Sequence, residues 1–279
     1  MSEKICPIIK PDQLLKLKGV ENLRIFDASN NPQARASFAA RHLEGAAFVD
    51  INSQLADIKS TPADGGRHPL PSPAKFAATL RELGISPDSH VVVYDDKNGA
   101  NAAARFWWML RAVGHAQAQV LDGGIDAAVR AGFPVADGAA DVVAGAYDAD
   151  AWTLPTVAVD EVENASTNGG ALIVDVRETP RYNGETEPFD KIAGHIPNAV
   201  NIPFAENLDA DGFFLPPEVL REKYARALAG RDDVIVHCGS GVTACHTLLA
   251  LDYAGLEIPK LYVGSWSEWS SRGLPVATA

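Results

Sequence analysis

The stretch Val234-Ile-Val-His237-Cys238-Gly-Ser240-Gly-Val-Thr243-Ala244-Cys245-His-Thr-Leu-Leu-Ala250-Leu decides how the chain reads. A short β-branched run ends at a cysteine, glycines and small residues follow, and an apolar segment of helical length comes next. That order predicts a strand, a tight loop and a helix N-terminus. Small loop residues let successive backbone N–H groups converge on one point, and the helix dipole adds partial positive charge there. Such a cradle favours the thiolate of a cysteine at its head. Cys238 is therefore a candidate nucleophile, and Gly239, Ser240, Gly241, Val242 and Thr243 are a candidate anion cradle. The plain alternative is a buried structural cysteine at a strand end.

Around this stretch the chain repeats itself. The first half carries Leu23-Arg-Ile-Phe-Asp27, Arg41-His42-Leu-Glu-Gly45, Val91-Val-Val-Tyr-Asp95, Ala102-Ala-Ala-Arg105-Phe-Trp-Trp and Phe133-Pro134-Val135. The second carries Leu172-Ile-Val-Asp175, Gly194-His195-Ile-Pro-Asn, the Cys238 stretch and Leu274-Pro275-Val276. Matched landmarks are offset by 148 residues (Asp27, Asp175), 153 (His42, His195), 143 (Asp95, Cys238) and 141 (Pro134, Pro275). Drifts of this size are what loop insertions in a duplicated unit produce. Each half alternates β-branched runs with helical patterns, which predicts α/β domains built on mostly parallel sheets flanked by helices. The small, acidic, aperiodic run around 137–150 reads as a linker. The expected division is an N-terminal domain over 1–138, a linker over 139–153 and a C-terminal domain over 154–279.

The duplication supplies an internal control. Where the second half has Cys238 the first has Asp95, so the first loop lacks a nucleophile and is the wrong sign for an anion. The chemistry is expected in the C-terminal domain, with the N-terminal domain non-catalytic.

Composition narrows the function classes. With 279 residues, 47% of them hydrophobic and 22% charged, the chain can bury a substantial core. A net charge of −12 argues against a nucleic-acid or anionic-membrane surface, so an anionic substrate needs a local cationic pocket. Cys6, Cys238 and Cys245 are too few and scattered for a disulfide framework, which points to a reducing, cytoplasmic setting. The N-terminus lacks a continuous apolar signal region, and no segment approaches membrane-spanning length. No dinucleotide, Walker or metal-ligand motif occurs, so neither a cofactor nor a metal is expected.

The repeated halves, Gly194-His195-Ile-Pro197, the Cys238-Gly-Ser-Gly-Val-Thr243 loop and the Gly264-Ser-Trp-Ser-Glu-Trp269 ending together resemble the tandem-domain rhodanese sulfurtransferases. The loop itself is similar to that of the 3-mercaptopyruvate sulfurtransferases, because thiosulfate-preferring members carry basic loop residues and this loop has none. The resemblance spans about Leu23 to Val276 and implies two rhodanese-like domains. It implies a sulfur atom passing from a small anionic donor to Cys238 as a persulfide held by the cradle, then to cyanide, a thiol or a thioredoxin-like acceptor. Mercaptopyruvate is the implied donor, thiosulfate the runner-up, and ping-pong kinetics should follow.

The same resemblance implies roles for residues outside the loop. Arg181 matches the family's substrate arginine, and a guanidinium fork suits a carboxylate. The family's second arginine is missing from Thr186-Glu-Pro-Phe189-Asp-Lys191, where Lys191 could replace the charge but not the planar fork; separately, Arg67, next to His68, is a candidate anion ligand. Ser240 and His68 match a catalytic serine and histidine that protonate the leaving enolate. The aspartate of that set falls at Asn52, which can orient an imidazole but cannot stabilise imidazolium.

Other residues read as structural. Arg177 should pair with Asp175 beside it. His42 and His195, at equivalent repeat positions, should bond backbone, and Asp27 and Asp175 should cap strand ends. Cys245 should face the core, Trp107, Trp108, Trp266 and Trp269 should pack, and Arg105 should serve a domain interface. Two rival functions remain. A cysteine phosphatase needs an arginine six residues after the cysteine, where this chain has Ala244. A non-catalytic rhodanese-like binding module would have no use for an intact Cys238 loop beside a degenerate Asp95 loop.

Overall fold

The computed structural model describes residues 5–138, 142–228 and 230–279. Positions 1–4 of the expected N-terminal domain, 139–141 of the expected linker and 229 of the expected C-terminal domain lie outside the described residues. The chain divides into two units. One comprises the residues up to Leu55, Pro71–Thr153 and Asp209–Phe214; the other comprises Ala56–Leu70, Leu154–Leu208 and Leu215–Ala279. Each unit therefore contains a short segment from the other half of the sequence.

In the first unit the chain runs β1 (Ile8–Ile9), α1 (Pro11–Lys16), β2 (Leu23–Asp27), α2 (Ala34–Ala40), β3 (His42–Leu43), β4 (Ala46–Phe48) and α3 (Ile51–Gln54). It continues through α4 (Pro73–Glu82), β5 (His90–Tyr94), α5 (Ala102–Ala112), β6 (Ala118–Leu121), α6 (Gly124–Arg130) and β7 (Val135–Ala136). The main sheet has the order β1-β6-β5-β2-β4 and every pair in it is parallel. Val91, Val92 and Val93 of the central strand β5 are fully buried, the signature of a parallel strand covered on both faces.

The second unit repeats the pattern with β8 (Thr156–Val157), α7 (Val159–Asn168), β9 (Leu172–Asp175), α8 (Thr179–Tyr182) and β10 (Val200–Asn201). There follow α9 (Pro217–Ala227), β11 (Val234–His237), α10 (Thr243–Tyr253), β12 (Lys260–Tyr262) and α11 (Ser265–Ser271). Its sheet, β8-β12-β11-β9-β10 and again all parallel, is the first sheet's order with each strand replaced by its repeat partner. The duplicated α/β architecture expected from the sequence is the one observed.

The paired histidines keep the repeat at side-chain level. His42 Nδ1 lies 2.7 Å from the carbonyl oxygen of Phe38 and its ring stacks on Phe38. His195 Nδ1 lies 2.8 Å from that of Tyr182 and stacks on Tyr182. One core cluster of the second unit gathers Val162, Ile173, Ile235, Tyr262, Trp266 and Trp269. The indoles of α11 donate to carbonyls, Trp266 to Ile192 at 3.0 Å and Trp269 to Pro275 at 2.8 Å, so these large rings pack without an unsatisfied N–H. Helix α10 is buried from Ala244 to Asp252, as its nearly all-round apolar sequence demands. No helix among the described residues is long and apolar enough to cross a membrane.

Strand order reverses between β9 and β11: from β9 the chain moves out to the edge strand β10, then returns to β11 and goes on to β12 on the other side, beside β8. A crevice opens at the carboxyl ends of strands where such a reversal occurs. The loops after β9, β11 and β12 all leave from that end.

Candidate active site

Cys238 follows β11 directly and is 2% exposed. Helix α11 fixes its main chain: the Cys238 N–H donates to Ser265 Oγ at 3.2 Å, and its carbonyl accepts from the Trp266 N–H at 3.0 Å. The next carbonyl, of Gly239, accepts from the Ser267 N–H at 2.9 Å. Gly241 turns the loop at φ +74°, and a Cβ there would lie 2.4 Å from the Val263 carbonyl oxygen, so only glycine fits. Thr243 then opens α10, which sets an eleven-residue helix N-terminus behind the loop.

Two guanidinium groups lie over this loop. A Cβ built on Gly239 would sit 3.1 Å from Arg181 Nη2 and 3.3 Å from Arg67 Nη2. Arg181 belongs to α8, beyond the carboxyl end of β9; Arg67 belongs to the 56–70 segment that the first half of the sequence contributes to this unit. Both are held from the stretch between α8 and His195. Glu187 accepts from Arg181 Nη2 at 2.8 Å and from Arg177 Nη1 at 3.1 Å, while Asp190 pairs with Arg67 Nη1. The ring of Phe189 lies between the two, its centroid 5.0 Å from Arg181 Cζ and 5.6 Å from Arg67 Cζ, in cation–π range.

The same segment delivers a histidine to the loop: His68 Nδ1 is 2.9 Å from Ser240 Oγ. Its backbone is anchored to α11, with the Arg67 N–H donating to Ser267 Oγ at 3.0 Å and the Gly65 N–H to Glu268 Oε1 at 3.3 Å. Gly66, at φ +85°, approaches so closely that a Cβ would lie 2.4 Å from the Gly264 carbonyl oxygen.

Beneath the loop lies a buried ionic cluster. Asp175 accepts from the Arg177 backbone N–H and from Nε, both at 3.0 Å, and from Nη2 at 2.6 Å, so Arg177 pairs with its neighbour as expected. Burial opposes the charged carboxylate, yet Asp175 stays below the usual range. His237 lies 3.8 Å away, but burial pushes its imidazole down toward the neutral form, so Arg177 carries the stabilisation. Arg177 also lies over the Trp266 ring at 4.8 Å. The network ties the end of β9 to the helix that fixes Cys238.

The structure thus brings Cys238, Ser240, His68, Arg67 and Arg181 together within one unit. Lys191 is an exposed side chain, and the second guanidinium over the loop is that of Arg67. Asn52 lies exposed in the first turn of α3, in the other unit, its N–H donating to Asp50 Oδ1 at 3.0 Å. Sequence reasoning passed over Glu187, Asp190, Ser265 and Ser267; two acids flanking an aromatic beside Arg181 were the one available signal. Among the described residues no group of three or more His, Cys, Asp or Glu side chains is placed to hold a metal ion.

In the first unit the matching loop is filled from within. The Asp95 carboxylate accepts from the N–H groups of Lys97 (2.8 Å), Gly99 (2.9 Å), Asn101 (3.1 Å) and Ala103 (3.0 Å). Burial pushes its pKa up to about 6 although these donors pull the other way.

A duplicated parallel sheet, with a cysteine loop in one copy and a carboxylate in the other, defines a class. The rhodanese-like domain model matches the chain twice, over residues 10–131 and 158–272, and the chain belongs to that family. It is 41% identical over 246 residues to a probable 3-mercaptopyruvate sulfurtransferase of Pseudomonas aeruginosa, covering 86% of each chain. It is 39% identical to a putative thiosulfate sulfurtransferase of Mycobacterium tuberculosis, covering 87% of this chain and 84% of that one. The crystal structure of an Escherichia coli 3-mercaptopyruvate sulfotransferase superposes with a TM-score of 0.80 at 33% identity, covering 95% of this chain and all of that one.

Proposed function

We propose that this rhodanese-family sulfurtransferase takes its sulfur from 3-mercaptopyruvate and carries it as a persulfide on Cys238. The observation that carries the reading is the pair of guanidiniums 3.1 and 3.3 Å from the Cβ position of Gly239, next to the cysteine. Arg181 and Arg67 receive the donor carboxylate, which places the donor sulfur against the Cys238 thiolate. The thiolate attacks that sulfur, the sulfur–carbon bond breaks, and its electron pair leaves as pyruvate enolate. The His68–Ser240 pair supplies the enolate with a proton, and the N–H groups of Gly239 to Thr243 stabilise the persulfide. An acceptor thiol, a thioredoxin-like dithiol or cyanide removes the outer sulfur and restores the thiolate, in two half-reactions. Lys191 adds positive charge at the rim, and three scattered cysteines favour a reducing, cytoplasmic setting.

Thiosulfate is the second reading, favoured by Phe189, which stands in the stretch where the mercaptopyruvate enzymes carry their second arginine. Incubating the protein with each donor and weighing it tests both. Mercaptopyruvate is expected to add about 32 Da, one sulfur atom, at Cys238, and to support faster turnover than thiosulfate on the same preparation. A wide margin for thiosulfate overturns the donor assignment, and no adduct from either overturns the persulfide.

A further inference from the structure

Arg67 and its neighbour His68 are far in sequence from the cysteine loop, and the placement of the Arg67 guanidinium needs a cause. One contact comes from below, where its backbone N–H meets Ser267 Oγ. That bond fixes the main chain and leaves a long, flexible side chain free to swing. The guanidinium is held by Asp190, through Nη1.

Asp190 is an unusual partner. Its side chain is 5% exposed, Oδ1 accepts from Arg67 Nη1, and Oδ2 is buried with no hydrogen bond. A buried carboxylate in that position is compensated only through the arginine it faces. Its location is set by Glu187, whose Oε1 accepts from the Phe189 N–H at 3.1 Å and the Asp190 N–H at 3.3 Å while the same carboxylate holds Arg181. Residues 187–190 thus form one strap with a carboxylate for each arginine and the Phe189 ring packed against both.

We propose that Asp190 is a positioning residue of the donor site. It holds the Arg67 guanidinium over Gly239 beside that of Arg181, so that two forks from distant parts of the chain meet the donor's anionic group. The inference rests on the donor-binding reading above and adds what makes that reading work without a second arginine in the strap. Asp190 touches neither donor nor cysteine; it acts through Arg67.

The test compares R67Q, D190N, the double variant and D190E by the donor concentration that half-saturates persulfide formation in a single turnover. Acceptor KM and thermal unfolding are measured alongside. R67Q is expected to raise donor half-saturation about tenfold and D190N about fivefold, with the double variant no worse than R67Q. D190E should return to within about twofold of the parent, and acceptor KM should stay unchanged. R67Q should also unfold at a lower temperature than the double variant, because it alone strands a buried charge. Independent, multiplying effects of R67Q and D190N overturn the proposal. So does an equal rise of donor and acceptor constants, or a D190N variant that binds donor normally. If the adduct forms and R67Q binds donor like the parent, the Arg67 site falls and the Cys238 persulfide stands. If the parent forms no adduct, both fall.

Discussion

After β5 the chain turns through Asp95 to Asn101 into α5, and after β11 it turns through Cys238 to Val242 into α10. The backbones share their logic: a central parallel strand, a loop with a left-handed glycine, and a buried helix of eleven residues. What occupies the loop differs. In the first unit the cradle closes on its own carboxylate, with four N–H groups bound to Asp95. In the second a thiol stands at the head and two guanidiniums lie over the loop. The left-handed glycines differ in surroundings too: a Cβ on Gly99 would meet Val120 and the Phe214 ring, whereas one on Gly241 would meet the Val263 main chain. A duplicated scaffold can therefore keep its anion-binding geometry and fill it with an anion of its own.

The largest break in this comparison comes from exchanging the two residues. Cys238→Ser is expected to lower turnover at least about a thousandfold, with far-UV circular dichroism and melting temperature close to the parent's. Adding Asp95→Cys to that variant should restore nothing, because the guanidiniums of Arg181 and Arg67 lie over the Cys238 loop. Turnover regained in the double variant would show that a cysteine in either cradle suffices.

Next in size is a pH effect confined to the first loop. The Asp95 pKa is raised to about 6 in the folded state from the 3.8 of an unperturbed aspartate. A raised folded pKa means the native state holds its proton longer than the unfolded chain does. The stabilisation is full below about pH 4 and is lost as pH rises through 6. The group should account for a loss of about 2–3 kcal/mol between pH 4 and pH 7. Asp95→Asn, which cannot ionise, should be the less stable protein near pH 4.5, and its deficit should shrink or reverse by pH 7.5 in urea unfolding. A deficit constant across that range would mean the carboxylate titrates normally.

How much of this was legible beforehand follows the range of the interactions involved. Local pattern was enough for the strands at Leu23–Asp27 and Leu172–Asp175, for the helix after Cys238 and for the repeat, because period and spacing act over a few residues. The Arg177–Asp175 pair is two residues apart and was readable in the same way. The His68–Ser240 contact spans 172 residues, and it was reached only through family resemblance. That Arg67 would share the Cys238 unit, held by Asp190, could not be read from spacing, because the pairing is decided by how the 56–70 segment packs. Lys191 is a replacement charge readable from sequence because it lies near Arg181 in the chain, whereas the place of Arg67 over Gly239 is a matter of packing.

Gly241→Ala sharpens the comparison at the level of main chain. The new methyl meets a backbone oxygen at 2.4 Å at positive φ, so the loop must shift, at a cost of about 1–3 kcal/mol and with lost turnover. At Gly99 the nearest atom, at 2.6 Å, is a methyl of the Val120 side chain, so Gly99→Ala should cost less stability and leave turnover alone. Equal melting-temperature losses in the two variants would mean that the loops are equally tolerant.

The finest discrimination lies within the active loop. Ser240 Oγ is 2.9 Å from His68 Nδ1, and the residue is 7% exposed; in the proposed mechanism this pair supplies the proton. A proton is needed only when the departing group is a carbon base: pyruvate enolate must be protonated, whereas sulfite leaves as a stable anion. Ser240→Ala should therefore slow mercaptopyruvate-driven turnover by about ten- to a hundredfold and thiosulfate-driven turnover by no more than about threefold. Because the substitution leaves both arginines in place, donor half-saturation should change little. An equal loss with both donors would assign the hydroxyl to persulfide stabilisation, a role it would share with the neighbouring N–H groups and one that does not require the histidine.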